Sequence, residues 1–179
     1  LKLVSPHLNY QHAFANFYQD FVTHDPDNAA YYEPSQHDFG QYVLQLNDQA
    51  RGIGLPPGYV PCNHFWLVDD EERVIGAIRV RHHIENEFLR LECGHIGYDV
   101  APSHRRKGAG CQMLSLALQH AHDLGIERAL LVADSNNWAS RGVIERNGGV
   151  FESLIWGDVF GCELARYWIE TDRSVSCSL

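Results

Sequence analysis

Three consecutive cations run into two glycines at Arg105-Arg106-Lys107-Gly108-Ala109-Gly110, and this stretch constrains the fold of the 179-residue chain more than any other. Upstream, "RLECGHIGYDVAP" reads as a strand that stops at Pro102, which has no N–H to give to a sheet. Downstream, Met113, Leu114, Ala117, Ala121 and Leu124 share one helical face over 108–124, closed by Gly125. A helix start leaves several amide N–H groups unpartnered at the positive end of the helix dipole, so it attracts anions. Gly108 and Gly110 carry no side chain to hold an anion away from those amides, and the three cations add charge at the rim. Charge-assisted hydrogen bonds contribute roughly 1.5–3 kcal/mol each, so two or three would anchor a diphosphate. The stretch is neither GxxxxGK[ST] nor GxGxxG, so it is not a P-loop or a dinucleotide fingerprint. Taken alone, a solvated basic turn with a glycine helix start stays open as the bland alternative.

The flanking pattern sets the fold class. Residues 6–23 place Leu8, Phe14, Phe17, Phe21 and Val22 at roughly helical spacing, and a second helix is expected over 36–50 with Phe39, Val43 and Leu46 inward. "GIGLPPGYVP" is a surface loop. Phe65–Val68 and Val74–Val80 flank the acidic turn Asp69–Glu72 as a hairpin. "RALLVADS" is a buried strand, "WASRGVIERNGG" a short helix closed by Asn147 and Gly148, and "GVFESLIW" and "ARYWIET" two final strands. The order helix, helix, hairpin, β, α, β, α, β, β describes a mixed sheet covered by helices in one domain, with no repeat and no linker.

Charge and composition exclude other classes. A net charge of −9 argues against a nucleic-acid partner, which requires a broad basic field. No apolar run approaches the ~18–20 residues of a membrane span, and no leader pattern is expected at the start of the chain. Five cysteines (Cys62, Cys93, Cys111, Cys162, Cys177) make no CxxC pair, which suits free thiols and a cytoplasmic location. Eleven histidines include the neighbours His82/His83 and the pair His120/His122, none at ligand spacing, so no metal is expected.

From Val100 to Gly110 the chain reads V-x-P-x-x-R-R-x-G-x-G, which resembles the acetyl-CoA pyrophosphate loop R/Q-x-x-G-x-G/A of the GNAT superfamily of N-acetyltransferases, with Arg105, Gly108 and Gly110 in the defining slots. About thirty residues on, Asn137, Ala139, Ser140, Glu145 and Gly148 of "NWASRGVIERNGG" resemble that superfamily's next motif. The resemblance covers a core of about 64–170, with 1–63 as variable N-terminal helices of the same single domain, 1–179. It implies a GNAT-like mixed, mostly antiparallel α/β (α+β) sheet with splayed central strands, here 94–100 and 129–134, flanked by helices. Acetyl-CoA would lie between them, paired with backbone near Tyr98 and Val100. Its pyrophosphate would rest on Arg105, Arg106, Lys107, Gly108, Ala109 and Gly110, and Asn137 would meet the arm nearer the thioester. Simple helix capping is the alternative for Asn137.

Acyl transfer to an amine needs a base, because a lysine-like amine with a pKa near 10.4 is protonated at neutral pH. Candidate bases on or beside the fourth strand are His95 and Glu92, on opposite faces by strand parity, with a hydrogen-bonded sheet histidine as the alternative for His95. Asp99 reads as structural. A backbone N–H at or near Tyr98 suits the oxyanion. Where many relatives carry a tyrosine acid, this chain has Ile144, as in the branch that acetylates protein N-termini; Tyr167, Tyr98 or water would replace it. Trp66, Trp138, Trp156 and Trp168 read as core, Trp138 being the one to follow at the cofactor end. The expected activity is transfer from acetyl-CoA to a primary amine of a small metabolite, without a metal. A peptide or protein N-terminus is the second substrate class, and a non-catalytic acyl-CoA-binding module the alternative of another kind. Loops 24–38, 51–63 and 153–165 would read the acceptor. A homodimer through the late strands stays open.

Overall fold

A computed structural model describes residues 1–172. Cys177 therefore lies outside the described residues. The described chain is a mixed α/β fold of two antiparallel sheets flanked by helices. The first sheet has the order β1-β2-β3-β4, from β1 (Lys2–Val4), β2 (Cys62–Val68), β3 (Val74–Arg81) and β4 (Ile96–Val100). The second has the order β5-β7-β6, from β5 (Arg128–Asp134), β6 (Val150–Gly157) and β7 (Cys162–Glu170). Helices α1 (Gln11–His24), α2 (Pro26–Ala29) and α3 (Phe39–Ala50) precede β2, while α4 (Ala109–Asp123) and α5 (Trp138–Arg146) flank β5 in sequence.

Two apolar clusters hold these layers together, one on each face of the first sheet. Met113, Leu114, Ala117, Leu118 and Ala121 of α4 pack on Ile78, Val80 and Ile96, and on Leu131 and Tyr167 of the second sheet. On the opposite face, Phe14, Phe17 and Phe21 of α1 and Phe39, Tyr42 and Val43 of α3 close on Trp66, Val68 and Ala77. The Phe14 ring lies 4.5 Å from Trp66 and 5.6 Å from Tyr42, an aromatic cluster worth more than its buried area alone.

The helices start later than their apolar spacing suggests because polar groups stop them. His7 Nδ1 takes the Asn9 N–H at 3.2 Å, forming a short 3-10 turn over Leu8–Tyr10 before α1 begins. Asp38 takes the Gln41 N–H at 2.9 Å and fixes the start of α3, so residues 33–36 form a separate 3-10 turn. Strand β1 was not legible from the sequence. The larger departure precedes β4. Leu89–Cys93, of which Arg90–Cys93 were expected as strand, form a π-helical turn. Buried Arg166 donates to the carbonyls of Arg90 and Leu91 at 2.7 and 2.6 Å, so this backbone is satisfied by a guanidinium and not by a neighbouring strand. The strand-parity argument for Glu92 and His95 falls with it.

β4 and β5 are joined by a single bridge, Gly94 to Leu131, and by no ladder. Gly94 sits at φ +70, and a Cβ there would come within 2.4 Å of the Leu130 carbonyl oxygen. Gly94→Ala is expected to destabilise the protein by roughly 2–4 kcal/mol, combining left-handed strain with overpacking against rigid backbone. Urea unfolding measures it; a loss below about 1 kcal/mol would show that the junction yields.

Candidate active site

The gap between β4 and β5 follows from the hydrogen-bond register. On the β3 side, Ala101 N donates to Ile75 O and Arg81 N to His95 O. Pairing alternates along a strand, so the N–H and C=O of Ile96, Tyr98 and Val100 face away from β3. On the other side, Ser135 N donates to Glu163 O and Thr171 N to Glu127 O, so the backbone groups of Leu130 and Val132 face away from β7. The two free edges therefore face each other. They meet at one place: His95 N–H donates to Leu130 O at 2.8 Å, and Leu130 N–H donates to His95 Nδ1 at 2.9 Å. His95 sends its N–H to β5 and its C=O to β3, a local twist that ends the junction. Beyond it the edges of Tyr98, Val100 and Val132 diverge with no strand between them.

The open end of the gap is the start of α4. Gly108 caps this helix at φ +86 without any side-chain hydrogen bond, and Arg106 also has a positive φ of 59. Residues 105–108 are exposed. Gly110 serves close packing, since a Cβ there would lie 3.2 Å from Val143 and 3.5 Å from Val100. The three cations differ in their attachments. Arg105 donates to Val100 O at 3.0 Å and to Asp25 Oδ2 at 2.5 Å, which ties the loop to the end of α1. Partial burial would raise the Asp25 carboxyl, but hydrogen bonds from Arg105 and Asn28 hold it below the usual carboxylate range. Lys107 Nζ donates to Ser103 O at 2.9 Å. Arg106 has no protein partner among the described residues and is free to meet an anion.

Across the gap, Asn137 Oδ1 takes the Ser140 N–H at 3.0 Å and caps α5. The Tyr98 hydroxyl reaches from β4 to Ser140, at 2.9 Å from its Oγ and 3.2 Å from its carbonyl oxygen. Burial pushes the Tyr98 phenol up to about 12. This hydroxyl pair joins the two walls of the gap. Ser140 was matched only as a motif position in the sequence; its contact with Tyr98, 42 residues away, had no sequence signal.

The expected catalytic groups are in other employment. His95 Nδ1 accepts from a backbone N–H, so its proton sits on Nε2 and the neutral ring keeps no lone pair for an amine proton. Burial, with Arg81 and His83 nearby, lowers its pKa to about 4. Glu92 is buried, and its carboxylate accepts from the Val159 and Phe160 N–H groups at 3.1 Å each, clamping the β6–β7 turn. Tyr167 accepts from Arg141 Nε at 2.8 Å and donates to Glu145 Oε1 at 2.9 Å, so its proton is committed to a carboxylate. Ile144 is core. Trp66 is core as expected, whereas Trp138 and Trp156 are 70% and 66% exposed because α5 and the sheet edge β6 present them outward. Among the described residues no cluster of three His, Cys, Asp or Glu is arranged for a metal, and no helix is long and apolar enough to cross a membrane.

His83 was passed over in the sequence except as a neighbour of His82. Its Nδ1 is buried without a hydrogen bond, and Glu85 stands 3.5 Å away in poor alignment. It follows β3 by two residues, and β3 ends where the Arg81 N–H meets the His95 carbonyl at the closed end of the gap.

The two central strands thus diverge with free edges toward a glycine helix start that carries no side-chain cap. Comparison gives the family. The Acetyltransferase (GNAT) domain model matches residues 11–150, and the chain belongs to this family of acetyl-CoA-dependent N-acetyltransferases. None of the curated proteins matches it by sequence. Among solved structures it is similar to the ribosomal-protein-S5-alanine acetyltransferase of Vibrio fischeri, at TM-score 0.70 and 17% identity, covering 96% of this chain and 93% of that one. It is also similar to Mycobacterium smegmatis RimJ in complex with CoA-disulfide, at TM-score 0.68 and 17% identity over 94% and 80% of the two chains. A chimera of the Vibrio cholerae spermidine N-acetyltransferase SpeG gives 0.64 and 16% over 95% and 94%. At these identities the likeness concerns the fold.

Burial lowers the pKa of His64 to about 3, with Arg79 and Arg81 acting in the same direction, and that of His95 to about 4. Above pH ~6.5 both rings are neutral in folded and unfolded chains alike; below it the unfolded chain binds protons that the folded chain refuses. Stability is therefore lost as pH falls from about 6.5 toward 4, on the order of 3 kcal/mol per histidine at most. In urea midpoints at pH 7.5, 6 and 5, His95→Gln, whose amide oxygen can still take the Leu130 N–H, is expected to flatten the slope; an unchanged slope would contradict the assignment.

Proposed function

We propose that the protein moves the acetyl group of acetyl-CoA to the primary amine of a small metabolite, with the gap between β4 and β5 as its cofactor site. The observation that carries this reading is the free β4 edge. The N–H and C=O of Tyr98 and the N–H of Val100 have no strand partner and face an opening that ends at Gly108, while the Val100 carbonyl is held by Arg105. Such an edge suits the amides of a pantetheine arm, as an added strand would. The loop from Arg105 to Gly110 and the first amides of α4 would hold the pyrophosphate, with Arg106 and Lys107 as the charges and Arg105 keeping the loop in shape. The thioester supplies the activated acyl group when acetyl-CoA is bound.

The Tyr98 N–H, facing the gap, suits the carbonyl oxygen as charge builds on it. The Tyr98–Ser140 hydroxyl pair suits the departing thiolate, and a phenol with a pKa near 12 remains protonated there. For the amine proton, His83 replaces His95 and Glu92, because its Nδ1 makes no hydrogen bond to protein among the described residues. Asn137 would act by fixing the start of α5 beside this pair.

A small acceptor is favoured by the cover on the sheet face opposite α4. Tyr31 stacks on Arg79 at 4.5 Å, Tyr32 bonds Asp99 at 2.7 Å, and the space left among Tyr31, Tyr42, His64 and Arg79 is only about 10 Å³. An acceptor is left the end of the sheet, near Arg81 and His83. A protein N-terminus is the second reading. Its support is the exposed apolar tip of the β6–β7 hairpin, Val159 and Phe160, which would cover a peptide.

Calorimetry with acetyl-CoA tests the cofactor site. Arg106→Ala is expected to weaken binding roughly tenfold or more, and Arg105→Ala to lower thermal stability more than affinity; the reverse pattern would overturn the division of labour. In steady-state turnover, His83→Asn is expected to lower kcat on the order of 10²–10⁴-fold without changing acetyl-CoA affinity. Full activity in that variant would remove His83 from the mechanism.

A further inference from the structure

The end of the first sheet nearest the closed end of the gap carries an uncompensated cation. Register places two full rows of side chains on the face turned toward the N-terminal helices, Trp66, Ala77 and Asp99, then His64, Arg79 and Gly97; Cys62 and Arg81 end that face, and the Arg81 N–H donates to the His95 carbonyl. The first row is apolar apart from Asp99. In the second, Arg79 is fully engaged: its guanidinium bonds Asp99 Oδ2 at 2.9 Å, lies under Tyr31, and occupies space that only a glycine at 97 leaves open. His64 is held by Gln49 at 2.7 Å.

Arg81 differs from Arg79. It is partly buried, and its guanidinium has one protein acceptor, the Gly94 carbonyl at 3.2 Å. Among the described residues no carboxylate lies within ion-pair distance of it, although seven other cationic side chains are so paired, on a chain of net charge −9. Its neighbours carry no negative charge: the Cys62 thiol stands directly across the β2–β3 pair, and the neutral His95 follows on β4, where its carbonyl takes the Arg81 N–H. A half-buried guanidinium held without a counter-charge is costly, and an arriving anion relieves that cost. The Gly94 carbonyl that fixes Arg81 belongs to the junction where the gap closes, so the cation stands beside the place where the acceptor amine must come.

We propose that the acceptor carries a carboxylate close to its amine, as an amino acid does, and that Arg81 is the specificity-determining residue that binds it, with the His95 Nε2–H as a second donor. The proposal rests on the reading of this gap as an N-acetyltransferase site. The amine and carboxylate of an α-amino acid are one carbon apart, so Arg81 holds the carboxylate while the amine faces the thioester. A polyamine finds a repelling charge at the same place.

The test is a panel of free amino acids, their amides and methyl esters, acidic and neutral dipeptides, and polyamines, followed by CoA release. Free amino acids are expected to be turned over with a KM roughly ten- to a hundredfold lower than their own amides. Arg81→Gln is expected to remove that difference by raising KM for the acids while leaving the amides and the Kd of acetyl-CoA unchanged. Arg81→Lys, which keeps the charge, is expected to restore part of it, and melting curves show that both variants fold. A second readout needs no turnover: calorimetric binding of the N-acetylated amino acid to wild type, lost in Arg81→Gln. Preference for acidic dipeptides over free amino acids would place the carboxylate farther from the amine and overturn the amino-acid assignment. Equal use of acids and amides, or preference for polyamines, would overturn the proposal while leaving the acetyltransferase reading intact. Failure to bind acetyl-CoA at all would instead remove the reading on which it rests.

Discussion

Two hydrogen bonds between His95 and Leu130 decide the shape of this protein. Each of the two central strands has a free edge, and ordinarily such edges would zip together. Here the His95 ring takes the Leu130 N–H, its main-chain N–H takes the Leu130 carbonyl, and Gly94 permits an approach that any Cβ would block. The closed end is thereby fixed at one point, and the strands diverge from it. Tyr98 and Ser140 hold the opening from below, and Gly110 seats α4 against both Val100 and α5. The backbone that a sheet would have consumed is left facing the proposed cofactor path.

The same junction explains why buried polar side chains here are mostly structural. Glu92 holds the β6–β7 turn, Arg166 holds the carbonyls that lead into β4, and Tyr167 is locked between Arg141 and Glu145. Asp99, Arg79, Tyr31 and Tyr32 form a closed network under the N-terminal helices, which Arg105 joins to the loop before α4 through Asp25. What remains unspent at the closed end is small: the Nδ1 of His83, the Nε2–H of His95 and the guanidinium of Arg81. The proposed proton transfer and acceptor binding use these leftovers, while the bonded Tyr98–Ser140 pair serves the thiolate.

The hairpin β2–β3, helices α4 and α5 and the last two strands were legible because apolar periodicity and glycine or proline stops agree there. The glycine start of α4 was legible for a related reason: a positive φ at Gly108 and the close approach of Gly110 to Val100 and Val143 call for glycine, and glycine shows in a sequence. The approach to β4 was not. "RLEC" has the polar–apolar alternation of a strand, yet Asn86 starts a helical turn there and the guanidinium of Arg166, 75 residues away from Leu91, takes carbonyls that a neighbouring strand would have used. The turn removes the strand parity on which the placing of His95 and Glu92 rested, and each side chain bonds backbone instead. Arg81 and His83 were invisible for the opposite reason, since what marks them is a partner they lack, and an unpaired group leaves no pattern along the chain.

The central claim is that the unpaired β4 edge is where acetyl-CoA binds, and residue-resolved amide hydrogen exchange with and without acetyl-CoA tests it most directly. The account predicts slowed exchange at the Tyr98 and Val100 amides and at the first amides of α4, Ala109 to Cys111, with Leu130 and His95 protected in both states. Protection appearing instead along the groove of about 430 Å³ between α1 and the β2–β3 turn, lined by Asn16, Asp20, Glu72 and Ser103, with no change on β4, would contradict it.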